Sequence, residues 1–308
     1  MGDSTSIKPC FKSLVLLPFL FSTFISRPQT LTIYSIPAPR SYHWNSPGKL
    51  VFSYLSNFIT RTPRGSKRHL IGHMMVELKD STRHVIAGVS AGKKARMTRK
   101  VVFQGHGLGI LFEKINGVME ETAVNLPDIQ QRSATGEIAF LQFRVNQPVF
   151  DRLWKYYTEY KERGYHHFYN GLNNPLKGEG AGCSAFAFSF LEVAGLSDMV
   201  PPEICRIERP VQPDLVMNNR YDHGPVSLIR LLFSGKWASI QDTNALLYRT
   251  YEPTWLYRWI KAYQPEMPVS GLVQKTQQMK APGILIDCSN RPVPEGPIWK
   301  TAIVEKQN

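Results

Sequence analysis

The stretch GEGAGCSAFAFSFLEVAGL, residues 178–196, holds one cysteine, Cys183, between a glycine-rich approach and an apolar run of helical spacing. A cysteine in such a run is ordinarily a small core hydrophobe. The first turn of a helix gives the thiol a second use. Unsatisfied N–H groups and the helix dipole favour the thiolate there, and Gly178, Gly180 and Gly182 let a carbonyl oxygen approach the backbone. A thiol nucleophile needs a base, and His73 in IGHMMVEL interrupts an apolar strand on the side it shares with Met75 and Glu77. His84, eleven positions on, opens the next apolar run. Either Glu77 or His84 suits the role of fixing the His73 tautomer, although a lone strand histidine is more often a hydrogen-bonded structural residue.

These residues need elements to carry them. Two apolar runs, 70–78 and 84–90, flank the polar KDSTR and predict a β-hairpin. A two-residue turn at Asp80-Ser81 sets Glu77 opposite His84 and His73 opposite Gly88, and a shifted register brings the two histidines together. GEIAFLQFRVN, 136–146, alternates as a third strand, and QPVFDRLWKYYTEYKERG predicts a helix ending at Gly164. Cys183, Phe186, Ala187, Phe190, Leu191 and Ala194 recur at i, i+3, i+4, i+7, i+8 and i+11, one inward face of a helix closed by Gly195. LVFSYLSNFI fits neither period. PVSLIRLLFSGKW and PTWLYRWIKAY predict helices, VPPEICRIERPVQP reads as irregular, and the tail from about 264 as loose. The order predicts an α+β fold, with a small antiparallel sheet packed on the Cys183 helix.

A strand histidine, a polar residue about a dozen positions on across a hairpin, and GCSAF at a helix start more than a hundred residues later resemble the circularly permuted papain-like cysteine hydrolases. That group is similar to the NlpC-type amidopeptidases and to relatives of lecithin:retinol acyltransferase. The resemblance covers about 70–196. It implies a permuted papain-like domain with Cys183 as nucleophile, His73 as general base and His84 as the orienting residue. It further implies that the Cys183 backbone N–H forms part of an oxyanion hole, assisted by Tyr169 or Tyr165. Many permuted members carry Asn just before the cysteine; here Gly182 stands there, with Asn173 and Asn174 further back. The implied activity is cysteine hydrolysis of peptide-like, cell-wall amide bonds through a thioester. Its alternatives are a lipid-directed acyltransferase or esterase, or a non-catalytic basic envelope-binding protein with Cys183 in the core.

The remaining features bound this reading. In 308 residues, 43% hydrophobic content is ample for a core, and the net charge of +13 points to an anionic polymer or membrane surface as partner, with a peptide-like or acylated substrate. The charge gathers at Arg61, Arg64, Lys67 and Arg68, then at Lys93, Lys94, Arg96, Arg99 and Lys100. No nucleic-acid-binding signature accompanies it. Lys8 and Lys12 before LVLLPFLFSTFI give residues 1–27 the pattern of a signal peptide or anchor, and so an exported, envelope location. Residues 28–48 read as a Pro/Ser-rich linker, 49–200 as the catalytic domain and 201–308 as a helical and irregular extension. Beyond Cys10, the three cysteines permit one disulfide at most. No cofactor or metal is expected: QGHGLG and GEGAG lack phosphate-loop spacing, and His106, His166 and His167 lack partner carboxylates. GVSAG matches a serine-nucleophile elbow, but the basic segment after Ser90 is a poor helix for that motif.

Overall fold

The computed structural model describes residues 28–60, 67, 69–92, 97–218, 224–263 and 273–300. The signal-like segment 1–27 and most of both basic clusters lie outside the described residues. In chain order the elements are β1 (Gln29–Ile36), α1 (Pro47–Ile59), β2 (His73–Lys79), β3 (His84–Ala91), α2 (Met97–Phe103), β4 (Ile115–Glu120), α3 (Thr122–Thr135), β5 (Ala139–Val145), α4 (Gln147–Glu162), β6 (Phe168–Tyr169), α5 (Cys183–Ala194), β7 (Arg206–Val211), α6 (Leu228–Phe233), β8 (Leu246–Tyr251), α7 (Pro253–Ala262), β9 (Val273–Gln278) and β10 (Ala281–Asp287).

The fold is α+β. Eight strands form one sheet in the order β6-β4-β3-β2-β1-β5-β10-β9, antiparallel throughout except for the parallel β5–β10 pair. The sheet is therefore larger than the small one expected. Its centre is β1, in the segment read as a linker. Leu31 through Ile36 are all buried, so both faces of this strand are covered and its apolar and polar residues run together without the one-sided alternation that marks a half-exposed strand. Most of the proline and serine content that suggested a linker belongs to residues 37–48, which follow the strand. The tail is likewise no loose extension: β10 pairs with β5 and β9 with β10, while α6 and α7 are helical as expected. VPPEICRIERPVQP contributes β7, which forms a separate two-stranded ribbon with β8. One sheet thus draws strands from residues 29 to 287, and the boundaries at 48 and 200 do not divide it.

Strand parity sorts the side chains. Leu31, Ile33, Met74, Val76, Ala87 and Val89 point to one face, where Phe186, Ala187 and Phe190 of α5 and Phe150, Leu153 and Tyr156 of α4 cover them. Tyr34, Ile36, Met75, Ile86 and Phe140 point to the other, against Ile129 of α3. α5 ends at Gly195 in the left-handed conformation, as its sequence indicated. LVFSYLSNFI lies in α1, which Ser46 starts by accepting the Lys49 N–H at 3.3 Å. A second core gathers Tyr42 and Trp44 from the segment before α1, Leu50 of α1, Leu108 of the turn after α2, Leu231 of α6, and Ile207, Val211 and Tyr248 of the β7–β8 ribbon.

The candidate active site around Cys183

Cys183 is the first residue of α5 and faces inward, 5% exposed. Gly182 precedes it in an extended conformation, with no side chain capping the helix. The glycines before it are there for packing. A Cβ on Gly180, at φ +84°, would stand 2.3 Å from the Phe168 carbonyl oxygen, and one on Gly182 would stand 3.0 Å from Gly171 Cα. The approach to the helix therefore runs backbone against backbone with β6 and the loop after it.

Burial is the largest influence on the Cys183 thiol and raises its pKa above the ordinary value. The backbone N–H groups of Met74, Ser184 and Cys183 and the Tyr169 hydroxyl oppose the rise without cancelling it. Tyr169 donates its hydroxyl towards Sγ at 4.0 Å. Tyr165 instead packs on Tyr160 and Trp299. Cys183 lines a cavity of about 180 Å³ between the α5 N-terminus and residues of the second core. Trp44, Leu50, Tyr54, Ile110, Tyr169 and Tyr248 are among its walls, and its polar margin includes Glu113, Asn170 and Glu252.

His73 does not reach this cavity, which corrects the expected base. Its register partner is Ile36, and its side chain lies on the α3 face with Met75, whereas Cys183 approaches the sheet from the α5 face. There the imidazole stacks on His69 at 4.4 Å, 2° from parallel, and its Nε2 would be 3.1 Å from a Cβ on Gly88. That Nε2 is buried with no hydrogen-bond partner among the described residues. Burial, then His69 and Lys67, push the His73 pKa well below its ordinary value, so the ring is neutral. The cause of the misassignment is parity: at period two, a histidine one residue from Met74 points away from the sulfur that the Met74 backbone touches.

His84 is likewise corrected as the residue orienting His73. The hairpin turn spans Asp80 to Arg83, where Asp80 accepts the Thr82 and Arg83 N–H groups, so Lys79 faces His84 and neither anticipated register forms. His84 sits at the opposite end of β2 from His73 and contacts Glu77 Oε1 through Nε2 at 2.7 Å, while Tyr34 donates to Glu77 Oε2 at 2.8 Å. Glu77 is thus engaged with Tyr34 and His84, not with His73.

The other candidates resolve individually. Ser90 lies within β3 opposite Val118, without the strand-to-helix turn that a serine elbow requires. Glu113 pairs with both Lys100 and His106, a carboxylate partner that sequence spacing did not offer His106. His166 and His167 pack against each other, ring centroids 4.1 Å apart and planes tilted by 42°. Lys67 pairs with Glu120, so two charges of the basic clusters are taken up internally. Cys205 and Cys288 are also free, buried thiols, with pKa values pushed to about 12 and about 11 by burial. No group of three or more metal-binding side chains occurs among the described residues, and no described helix is long and apolar enough to cross a membrane.

No protein-family model, curated protein or solved structure matches this chain. The site's chemistry rests on its own geometry: a neutral thiol at a helix start, backbone N–H groups beside it, and an apolar, aromatic-walled cavity in front. That arrangement can seat a small apolar group with its carbonyl at the sulfur. Sequence reasoning missed the cavity's polar margin. Glu252 was legible as a helix cap from Glu-Pro-Thr, and its side chain does accept the Thr254 N–H at 3.2 Å. Trp44 carried no signal, lying in the segment read as a linker.

Proposed function

We propose that the protein is a cysteine-dependent acyl-transfer enzyme acting on a small apolar acyl group, the lipid-directed branch of the papain-like reading. The observation that carries it is the place of Cys183, first residue of a helix with no side-chain cap, in the wall of the apolar cavity. A cavity of about 150 Å³ accommodates benzene, so about 180 Å³ admits one ring or a short acyl chain. The thiol attacks the acyl carbonyl to form the Cys183 thioester, its proton leaving with the alcohol or thiol. Water or an amine then takes the acyl group and restores the thiol. Because the thiol pKa is raised and His73 is on the other face, activated esters and thioesters are better substrates than the peptide-like amides of a cell wall. Export through residues 1–27 and attraction of the +13 chain to an anionic envelope polymer or membrane surface belong to the same proposal.

Incubation with p-nitrophenyl butyrate tests it. A mass gain of one butyryl group at Cys183, absent in Cys183→Ala, supports the reading; release of nitrophenol that is equal in the two proteins overturns it. The raised thiol pKa also favours a second reading, a non-catalytic binding protein, for which ligand binding is unchanged in Cys183→Ala and no acyl adduct forms.

A further inference from the structure

Two helices turn apolar side chains to the surface. On α1, Phe52 and Ile59 are 67% and 78% exposed, and with Leu55 they form a stripe at i, i+3 and i+7. On α6, Ile229 and Phe233 are 70% and 85% exposed and stand at i and i+4, with Leu232 beside them. The two helices touch backbone to backbone. The Gly48 N–H donates to the Ser234 carbonyl at 2.9 Å, and a Cβ on Gly48 would stand 2.2 Å from the Leu232 carbonyl oxygen. Gly48 begins the same stripe of α1, one turn before Phe52, so the exposed faces of the two helices adjoin at this crossing. Single exposed apolar residues are ordinary, but a set spread over two adjoining helices marks an interaction surface. Positive charge flanks it. Lys49 and Lys236 are exposed, and Arg40 reaches the outer side of α1, its Nη1 donating to Ser56 Oγ at 3.4 Å. Arg230 of α6 pairs with Asp214, but no aspartate or glutamate occurs in residues 4–76 or 223–241, the stretches that carry this face.

We infer that the α1–α6 face docks on an anionic lipid surface, with Phe52, Ile59, Ile229 and Phe233 entering the acyl boundary while Arg40, Lys49 and Lys236 meet the headgroup phosphates. At 13 residues α1 is too short to span a bilayer and lies in its plane. Charge complementarity selects the occupant. A second copy set face to face brings the same cations of both chains together, and an acidic polymer leaves the phenylalanines in water. A bilayer with anionic headgroups takes up both sets. The inner side of α1 contributes Leu50, Val51 and Tyr54 to the wall of the Cys183 cavity, so a docked membrane lies about 10 Å, one helix diameter, from that cavity. The docking rests on the membrane-surface partner proposed above, to which it gives a face, and not on the acyl chemistry.

The test is co-sedimentation of the full chain with two kinds of vesicle, phosphatidylcholine alone and phosphatidylcholine mixed two to one with phosphatidylglycerol. Wild type should bind the mixed vesicles about tenfold or more tightly than the neutral ones. Phe52→Ser combined with Phe233→Ser should weaken binding to the mixed vesicles at least about tenfold, because two aromatic side chains no longer leave water. Lys49→Gln combined with Lys236→Gln should weaken it about tenfold and leave binding to neutral vesicles unchanged. All four side chains are exposed, so urea midpoints should match wild type; the lysine pair carries the test if the phenylalanine pair fails to fold. Equal affinity for the two vesicles, no binding to either, or binding that survives both double variants overturns the assignment, the last because residues outside this face then hold the membrane. A wild-type dimer in sedimentation equilibrium that the phenylalanine pair dissolves also overturns it and makes a second copy the occupant. Vesicle binding without any butyryl adduct at Cys183 leaves the docking face standing and removes the acyl-transfer reading.

Discussion

Replacing His73 with leucine separates the observed arrangement from a Cys–His pair. In the folded protein the imidazole is buried and 4% exposed, and its pKa is held well below the 6.5 it takes in an unfolded chain. The folded state therefore binds fewer protons as pH falls through 6.5. Stability from the neutral ring is fully present above that pH and is lost below it, by up to about 1.4 kcal/mol per pH unit. Between pH 8 and pH 5 the loss reaches about 2 kcal/mol, since one unfolded imidazole is then almost fully protonated. Leucine removes this term, and the loss of Nε2 breaks no hydrogen bond among the described residues. Urea unfolding of wild type and His73→Leu at both pH values should show the variant losing about 2 kcal/mol less on acidification. Iodoacetamide labelling of Cys183 at pH 8 should stay within a factor of two. If the two proteins lose stability in parallel, the ring is not a buried neutral base. If labelling falls tenfold, the imidazole reaches the sulfur and the opposite-face placement is wrong.

Burial also governs the thiol: mass-resolved iodoacetamide labelling of native Cys183 should be slower at pH 7 than for a free thiol and should still be climbing at pH 9. Asp128 titrates the other way. Burial alone would raise it, but the hydrogen bond to His69 and the charge of Arg132 outweigh burial and lower its pKa from 3.8 to about 2. Its contribution, about 2 kcal/mol, is complete above pH 4 and is lost as pH falls towards 2, so Asp128→Asn should flatten that limb of an acid-unfolding curve. Phe186 is fully buried between Tyr160 and Phe190, at 5.0 and 5.1 Å, and Phe186→Ala should cost about 3–5 kcal/mol in urea unfolding. Gly180→Ala meets both a positive φ and the Phe168 carbonyl, so a melting temperature close to wild type would contradict the backbone crossing before Cys183.

Local pattern and chain-distant placement divide this protein. The hairpin, the strand at 139–145, the helices of residues 147–162 and 183–194, the inward face of Cys183 and the glycine closing its helix were all legible, because periodicity and capping act within one element. The central strand β1 was not, since the alternation of Thr30-Leu31-Thr32-Ile33 breaks at Tyr34 in a strand covered on both faces, and its neighbours in the sheet arrive from residues 73–79 and 139–145. The joining of β9 and β10 to the same sheet depended on a parallel pairing with β5, which no local signal announces. The face on which His73 lies is fixed by its register with β1, so the sequence supplied a cysteine and a histidine of the right types while the tertiary structure set them on opposite sides of one sheet. The cavity is a tertiary product as well. Trp44, Cys183 and Glu252 are separated by more than two hundred residues end to end, and only the tertiary packing brings them into the wall of one cavity.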